Sequence, residues 1–193
     1  MSQARNWDNL RPRVLTGAAL IAVGITVIWM GGAVFAVTAA LVTGIMVWEL
    51  ARMIAPERAS EALILAFVTA ATILLVRGIG DALGFVFLVV PAVAGVVMLK
   101  RHPAIFAVFA IGITLAGFGL TLFRDTYGVV WLFWLVIVVA GTDIAGYFGG
   151  RMIGGRKFWP SISPKKTWAG IIAGWVAAAV IGLIFLGLTD AGR

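Results

Sequence analysis

Hydrophobic positions along the chain gather into seven long blocks, at residues 14–30, 32–50, 61–76, 82–99, 104–123, 128–150 and 168–189, with short polar stretches between them. A water-soluble domain of this length would show short apolar runs at a helical or strand period. These runs instead last about 17–24 residues, enough at about 1.5 Å per residue to cross a roughly 30 Å hydrocarbon core. The pattern predicts an all-α fold, a polytopic transmembrane helix bundle with about seven spans. Arg5, Arg11 and Arg13 precede the first block as they would in a secretory leader, but the block is long, Trp29-Met30 is a poor approach to a small-residue cleavage site, and six more blocks follow. It is read as a first span. No Pro/Ser linker, low-complexity tract or soluble-length insertion divides the chain, so residues 1–193 are expected to form a single integral membrane domain.

Composition agrees with the pattern. With 62% of residues hydrophobic and 12% charged, the chain has too little polar surface to coat a globule in water. The absence of cysteine excludes a disulfide framework and any thiolate metal site. Glycine is abundant inside the blocks, where small residues let neighbouring membrane helices approach closely.

The net charge of +7 is informative through its distribution. Cytoplasmic loops collect Lys and Arg. An internal N-terminus places Arg5, Arg11, Arg13, Arg52, Arg58, Lys100, Arg101, Arg151, Arg156, Lys157, Lys165 and Lys166 inside, against Arg77, Arg124 and Arg193 outside. Twelve against three supports seven spans and an N-in, C-out topology, with the basic loop 151–167 in the cytoplasm.

That loop and the helix before it hold most of the chemistry. Asp143 lies about two turns inside the sixth block, where a carboxylate costs several kcal/mol unless it is paired, hydrated or metal-bound. It is a functional candidate, with a structural hydrogen bond through Thr142 or Tyr147 as the bland alternative. In Ser163-Pro164-Lys165-Lys166-Thr167, Ser163 suits a helix cap and Pro164 the first helical position. Free backbone N–H groups beside two lysines would then form an anion site, set against a purely topological anchor flanked by Trp168. A P-loop is excluded, because Gly150 to Gly155 runs into Arg156-Lys157 and no strand precedes it.

Other polar residues read more simply. His102 is expected as an interfacial turn residue, Glu49 and Arg52 as an i,i+3 pair, and Arg77 with Asp81 and Arg124 with Asp125 as outer-loop charges. The Trp and Phe residues are read as interfacial belts and helix packing.

From Asp143 to Gly170 the chain resembles the phosphatidate cytidylyltransferase (CDP-diacylglycerol synthase) family. The family shows an intramembrane Asp, an Ala- and Tyr-containing turn, a Gly-rich basic segment and Ser-Pro-x-Lys-Thr-Trp-x-Gly in this order. Trp48-Glu49-Leu50-Ala51-Arg52 and Arg13-Val14-Leu15-Thr16-Gly17 are similar to its earlier motifs. The resemblance implies conversion of CTP and phosphatidic acid to CDP-diacylglycerol and pyrophosphate with a divalent metal, usually Mg²⁺. It implies Asp143 as a catalytic and metal-binding carboxylate, Lys166 as a catalytic cation, and Ser163, Lys165, Lys166 and Thr167 as substrate-phosphate contacts. It further implies membrane lipids and a homodimer as partners, no nucleic acid, and a multi-pass place in the cell membrane, the inner one in a Gram-negative bacterium. Gly146 and Ala169 depart from the family's commoner residues. The family's C-terminal signature, with its Lys-Asp, Gly-His-Gly-Gly and Asp-Arg-x-Asp elements, is not found before Arg193, which leads to the expectation of a truncated member unable to turn over substrate alone. Two other readings stand beside this one: another CTP-dependent lipid enzyme such as a polyprenol kinase, and a non-catalytic bundle or transporter.

Overall fold

The computed structural model describes residues 10–80 and 82–190, with the backbone alone for residues 10, 11, 82, 83 and 190. Helix α1 spans Leu10–Met30, α2 Gly32–Ile54 and α3 Ala59–Ile79. A 3-10 segment, Ala82–Val89, leads into α4, Val90–Leu99, and the helical run α5 covers Pro103–Met152. Strands β1 (Lys157–Trp159) and β2 (Ser163–Thr167) pair as an antiparallel hairpin, and α6 closes the described chain at Trp168–Asp190. The expected all-α helix bundle is found, with one small hairpin added. Among the described residues five helices are long and apolar enough to cross a membrane, and 84–99 forms a shorter apolar helical stretch.

The fifth and sixth apolar blocks both fall on α5. Fifty residues of unbroken helix would reach about 75 Å, well over twice a hydrocarbon core. The run breaks at Gly128, whose φ of 84° and ψ of −174° lie outside helical space and are open to glycine but costly for a residue with a Cβ.

The chain forms two compact units, one ending at Val129 and the other starting at Val130. In the first, Val47 and Ala51 of α2, Leu65 of α3, Leu99 of α4 and Phe106 of α5 share one buried cluster. Small residues set the helix spacing: a Cβ on Gly44 would lie 2.6 Å from the Ala66 carbonyl oxygen, and one on Gly117 would strike Thr43. Buried Thr69 and Thr114 each donate to the carbonyl four residues back, at 2.7 Å, so their hydroxyls cost little where water is absent.

Charges at the rims of this unit are largely consumed within it. Arg77 meets Asp125 at 2.8 Å, Arg58 donates to the Met98 carbonyl at 2.7 Å, and Arg101 reaches Glu57 at 3.7 Å. Arg124 donates to the Ile28 carbonyl at 3.0 Å, at the end of α1. One expected pairing is corrected. Arg52 donates to the Pro56 carbonyl at 2.7 Å and makes no ion pair with Glu49, because that carbonyl just past the end of α2 offers a fixed acceptor to a residue in its last turn. Arg77 takes Asp125, distant in sequence, and Asp81 lies outside the described residues. His102 is an exposed turn residue, as expected, and its carbonyl accepts the Phe106 N–H at the start of α5.

Candidate functional site

The second unit is a helical hairpin of residues 130–152 and α6, joined by the basic loop. Its two helices meet through glycine. Gly146 and Gly150 on one, and Gly170 and Gly174 on the other, are each four residues apart and therefore on one face. A Cβ on Gly170 would sit 2.6 Å from the Gly146 carbonyl oxygen, and one on Gly174 would sit 3.3 Å from that of Thr142. Two small-x-x-x-small faces thus bring the backbones into contact, a packing that works in lipid because it relies on close dispersion contact. At the other end Phe185 packs edge-on to Trp131 at 5.0 Å, with Trp134 at 5.4 Å.

The loop leaves the first helix through Gly154 (φ 67°) and Gly155 (φ 91°), a left-handed pair that reverses the chain. Lys157 then pairs with Thr167 and Trp159 with Ser163. Ile162 donates to the Trp159 carbonyl at 3.2 Å across the tip. Phe158 stacks edge-on to Trp168 at 4.9 Å and ties the hairpin to the start of α6.

The predicted helix start is therefore four residues too early. Ser163–Thr167 are extended, and the cap is Thr167, whose buried Oγ1 accepts the Gly170 N–H at 3.2 Å. The Trp168 N–H goes to the Arg156 carbonyl at 3.1 Å. Strand pairing prevails because the hairpin satisfies these backbone groups, and Pro164, which has no N–H to give, is tolerated in a two-stranded sheet where both strands are edges. Two backbone donors at the actual start of α6 are thus occupied. Gly150 is small for the same reason, since a Cβ there would come within 3.0 Å of Thr167 Oγ1.

Lys165, Lys166, Lys157 and Arg156 are exposed, Ser163 is half-buried, and none of the four cations makes an ion pair among the described residues. Asp143 is also exposed and has no ion-pair partner among the described residues, while the neighbouring Thr142 hydroxyl donates to the Val139 carbonyl at 2.8 Å. The structural hydrogen bond considered for Asp143 through Thr142 or Tyr147 is absent among the described contacts. Sequence reasoning passed over Arg151, whose Nη1 donates to the Tyr147 hydroxyl at 2.8 Å. The signal was there in the spacing: Asp143, Tyr147 and Arg151 recur every four residues. An apolar cavity of about 740 Å³ between the two helices is lined by Ala145, Ala169, Ile172, Ala173, Val176 and Ala177 among others. Ala145 stands about 200° round the helix from Asp143, so the cavity and the polar row occupy different faces.

No group of three or more His, Cys, Asp or Glu side chains gathers among the described residues. Asp143 is the one acidic side chain described in this unit. That donor set suits Mg²⁺ in its usual manner, with one or two carboxylates and the remaining ligands from substrate phosphates and water.

The sequence model of the cytidylyltransferase family matches residues 11–191. The chain is similar to the phosphatidate cytidylyltransferase of Brucella suis, 32% identical over 191 residues, which covers 95% of this chain and 70% of that protein. It is 31% identical to the phosphatidate cytidylyltransferase of Brucella abortus with the same coverage. A shorter match to that of Bacillus subtilis is 44% identical over 61 residues, 32% of this chain and 23% of the relative. No solved structure gives a significant match.

Proposed function

The chain belongs to the cytidylyltransferase family, and on that premise we propose that it is a membrane phosphatidate cytidylyltransferase, converting CTP and phosphatidic acid to CDP-diacylglycerol and pyrophosphate. The observation that carries the substrate assignment is 32% identity to a phosphatidate cytidylyltransferase along 95% of this chain. The site's chemistry is consistent with it. A phosphate oxygen of phosphatidic acid attacks the α-phosphorus of CTP, the bond from that phosphorus to the bridging oxygen breaks, and pyrophosphate leaves with the electron pair.

No covalent enzyme intermediate is required, so catalysis rests on positioning two polyanions and offsetting their charge. Lys165 and Lys166, exposed and without carboxylate partners, are the cations available for the phosphates, with Ser163 beside them as a hydroxyl donor. Thr167 fixes the turn that presents them. Asp143 would hold Mg²⁺, which when bound neutralises phosphate charge.

The protein is proposed to cross the membrane seven times with residues 151–167 in the cytoplasm, where CTP is found, on the strength of the basic-residue asymmetry. Cysteine introduced at Ile162 should resist an impermeant thiol reagent in intact cells and react after permeabilisation. The activity is tested in membranes bearing the protein, given labelled CTP, phosphatidic acid and Mg²⁺. On this proposal CDP-diacylglycerol and pyrophosphate in equal amounts are expected, against the loss of turnover that the missing C-terminal signature suggested, and transfer of phosphate to a polyprenol with release of CDP would replace this reading.

A further inference from the structure

We propose that Tyr147 and Arg151 form a phosphate clamp that continues the row begun by Asp143, with Arg151 binding a substrate phosphate and Tyr147 positioning its guanidinium. The inference rests on the assignment of a phosphate-transfer activity to this unit and adds two residues to its machinery.

The geometry points to a ligand in three ways. First, residues 143, 147 and 151 lie at i, i+4 and i+8 of one continuous helical stretch, so each is about 40° round from the last and the row covers about 12 Å along the axis. All three side chains are exposed on the unit. Second, the row stays clear of the helix contact, which is taken by Gly146, Gly149 and Gly150 against α6. Third, helical side chains lean toward the N-terminus, so Arg151 is directed back over Tyr147 and Tyr147 back toward Asp143. The 2.8 Å bond from Arg151 Nη1 to the Tyr147 hydroxyl records that lean.

A guanidinium carries five N–H donors in a planar fork. A neutral phenol oxygen takes one of them and compensates none of the charge. Arg151 makes no ion pair among the described residues, whereas Arg58, Arg77 and Arg124 at other helix ends are each held by a carboxylate or a helix carbonyl. The fork therefore keeps donors for a bidentate contact with a phosphate, the geometry in which arginine outperforms lysine. The phenol limits the rotamers Arg151 would otherwise sample, and so lowers the entropy lost when the phosphate binds. Asp143 lies two turns away along the same row.

Phosphate on the nucleotide and phosphate on the lipid present the same chemistry to this fork, and kinetics separate them. KM for CTP and for phosphatidic acid, together with CTP binding by equilibrium dialysis, are measured on the protein in lipid nanodiscs for the wild type, Arg151→Gln, Arg151→Lys and Tyr147→Phe. Arg151→Gln is expected to raise KM for one of the two substrates about tenfold while kcat changes less, consistent with loss of one charge-assisted contact. Arg151→Lys should recover part of that loss. Tyr147→Phe, which keeps the ring and every charge, should shift the same KM about threefold. A residue serving only as a topological anchor would leave both KM values unmoved and lower activity only with the amount inserted, and that result overturns the clamp. Wild-type protein that binds CTP without making CDP-diacylglycerol removes the proposed activity alone, and the clamp then stands or falls on whether Arg151→Gln weakens that binding or that of phosphatidic acid vesicles.

Discussion

The two compact units differ in how they treat most of their charges. Up to Val129, Arg58, Arg77, Arg101 and Arg124 are each engaged by a carboxylate or a backbone carbonyl, and buried threonines bond to their own helices. From Val130 onward, Arg156, Lys157, Lys165 and Lys166 carry no ion pair among the described residues, and the exposed Asp143 has none there either. Charge that is satisfied internally holds helices together. Charge left open next to an apolar bundle is available to something brought from outside, and under the proposed function that is phosphate.

The largest effect should come from the open carboxylate. Asp143→Asn keeps the shape and removes the charge, and it should cut CDP-diacylglycerol synthesis at least about a hundredfold while the protein still inserts, the scale seen when a single electrostatic stabiliser is lost. Full activity in Asp143→Asn would remove it from the site and weaken the contrast between the units.

A second test separates the scaffold from the site. Gly170→Leu must push a Cβ against the Gly146 carbonyl oxygen, and backbone cannot give way as a side chain can. Overpacking of this kind costs on the order of 3 kcal/mol, so the variant should melt at clearly lower temperature in detergent. Gly182→Ala on the same helix meets nothing within 4 Å and should melt like the wild type.

Much of this was legible in the sequence, for a physical reason. Hydrocarbon demands long apolar runs, and each of the seven blocks falls on a helical element, even to the break at Gly128 where the sixth block begins. Pairings set by tertiary packing were not legible: Arg77 read only as an outer-loop charge, and it meets Asp125, 48 positions on. The hairpin was hidden for another reason. Ser163-Pro164 has the chemistry of a helix start, and only cross-strand pairing with Lys157–Trp159 and the stacking of Phe158 on Trp168 make it a strand. The candidate residues Asp143, Lys165 and Lys166 were singled out from charge and cost. Arg151 was overlooked because a basic residue at a helix end is usually an anchor.

The smallest effect belongs to the closed charges. Arg77 and Asp125 are each about one-third exposed, at 34% and 36%, so their pair should contribute under about 1 kcal/mol. A double-mutant cycle with Arg77→Gln and Asp125→Asn should show that small coupling in thermal melts, with transferase activity per inserted molecule unchanged.

The contrast between open and closed charge is tested most directly by one paired measurement: kcat/KM for CTP in the double variant Lys165→Gln/Lys166→Gln and in the double variant Arg77→Gln/Arg101→Gln, each normalised to inserted protein. Both remove two positive charges from exposed or half-exposed positions. The account predicts a loss of at least about tenfold in the lysine variant, as expected when charge-assisted contacts to phosphate disappear, and less than about twofold in the arginine variant. Equal losses in the two, or a larger loss in the arginine variant, would contradict it.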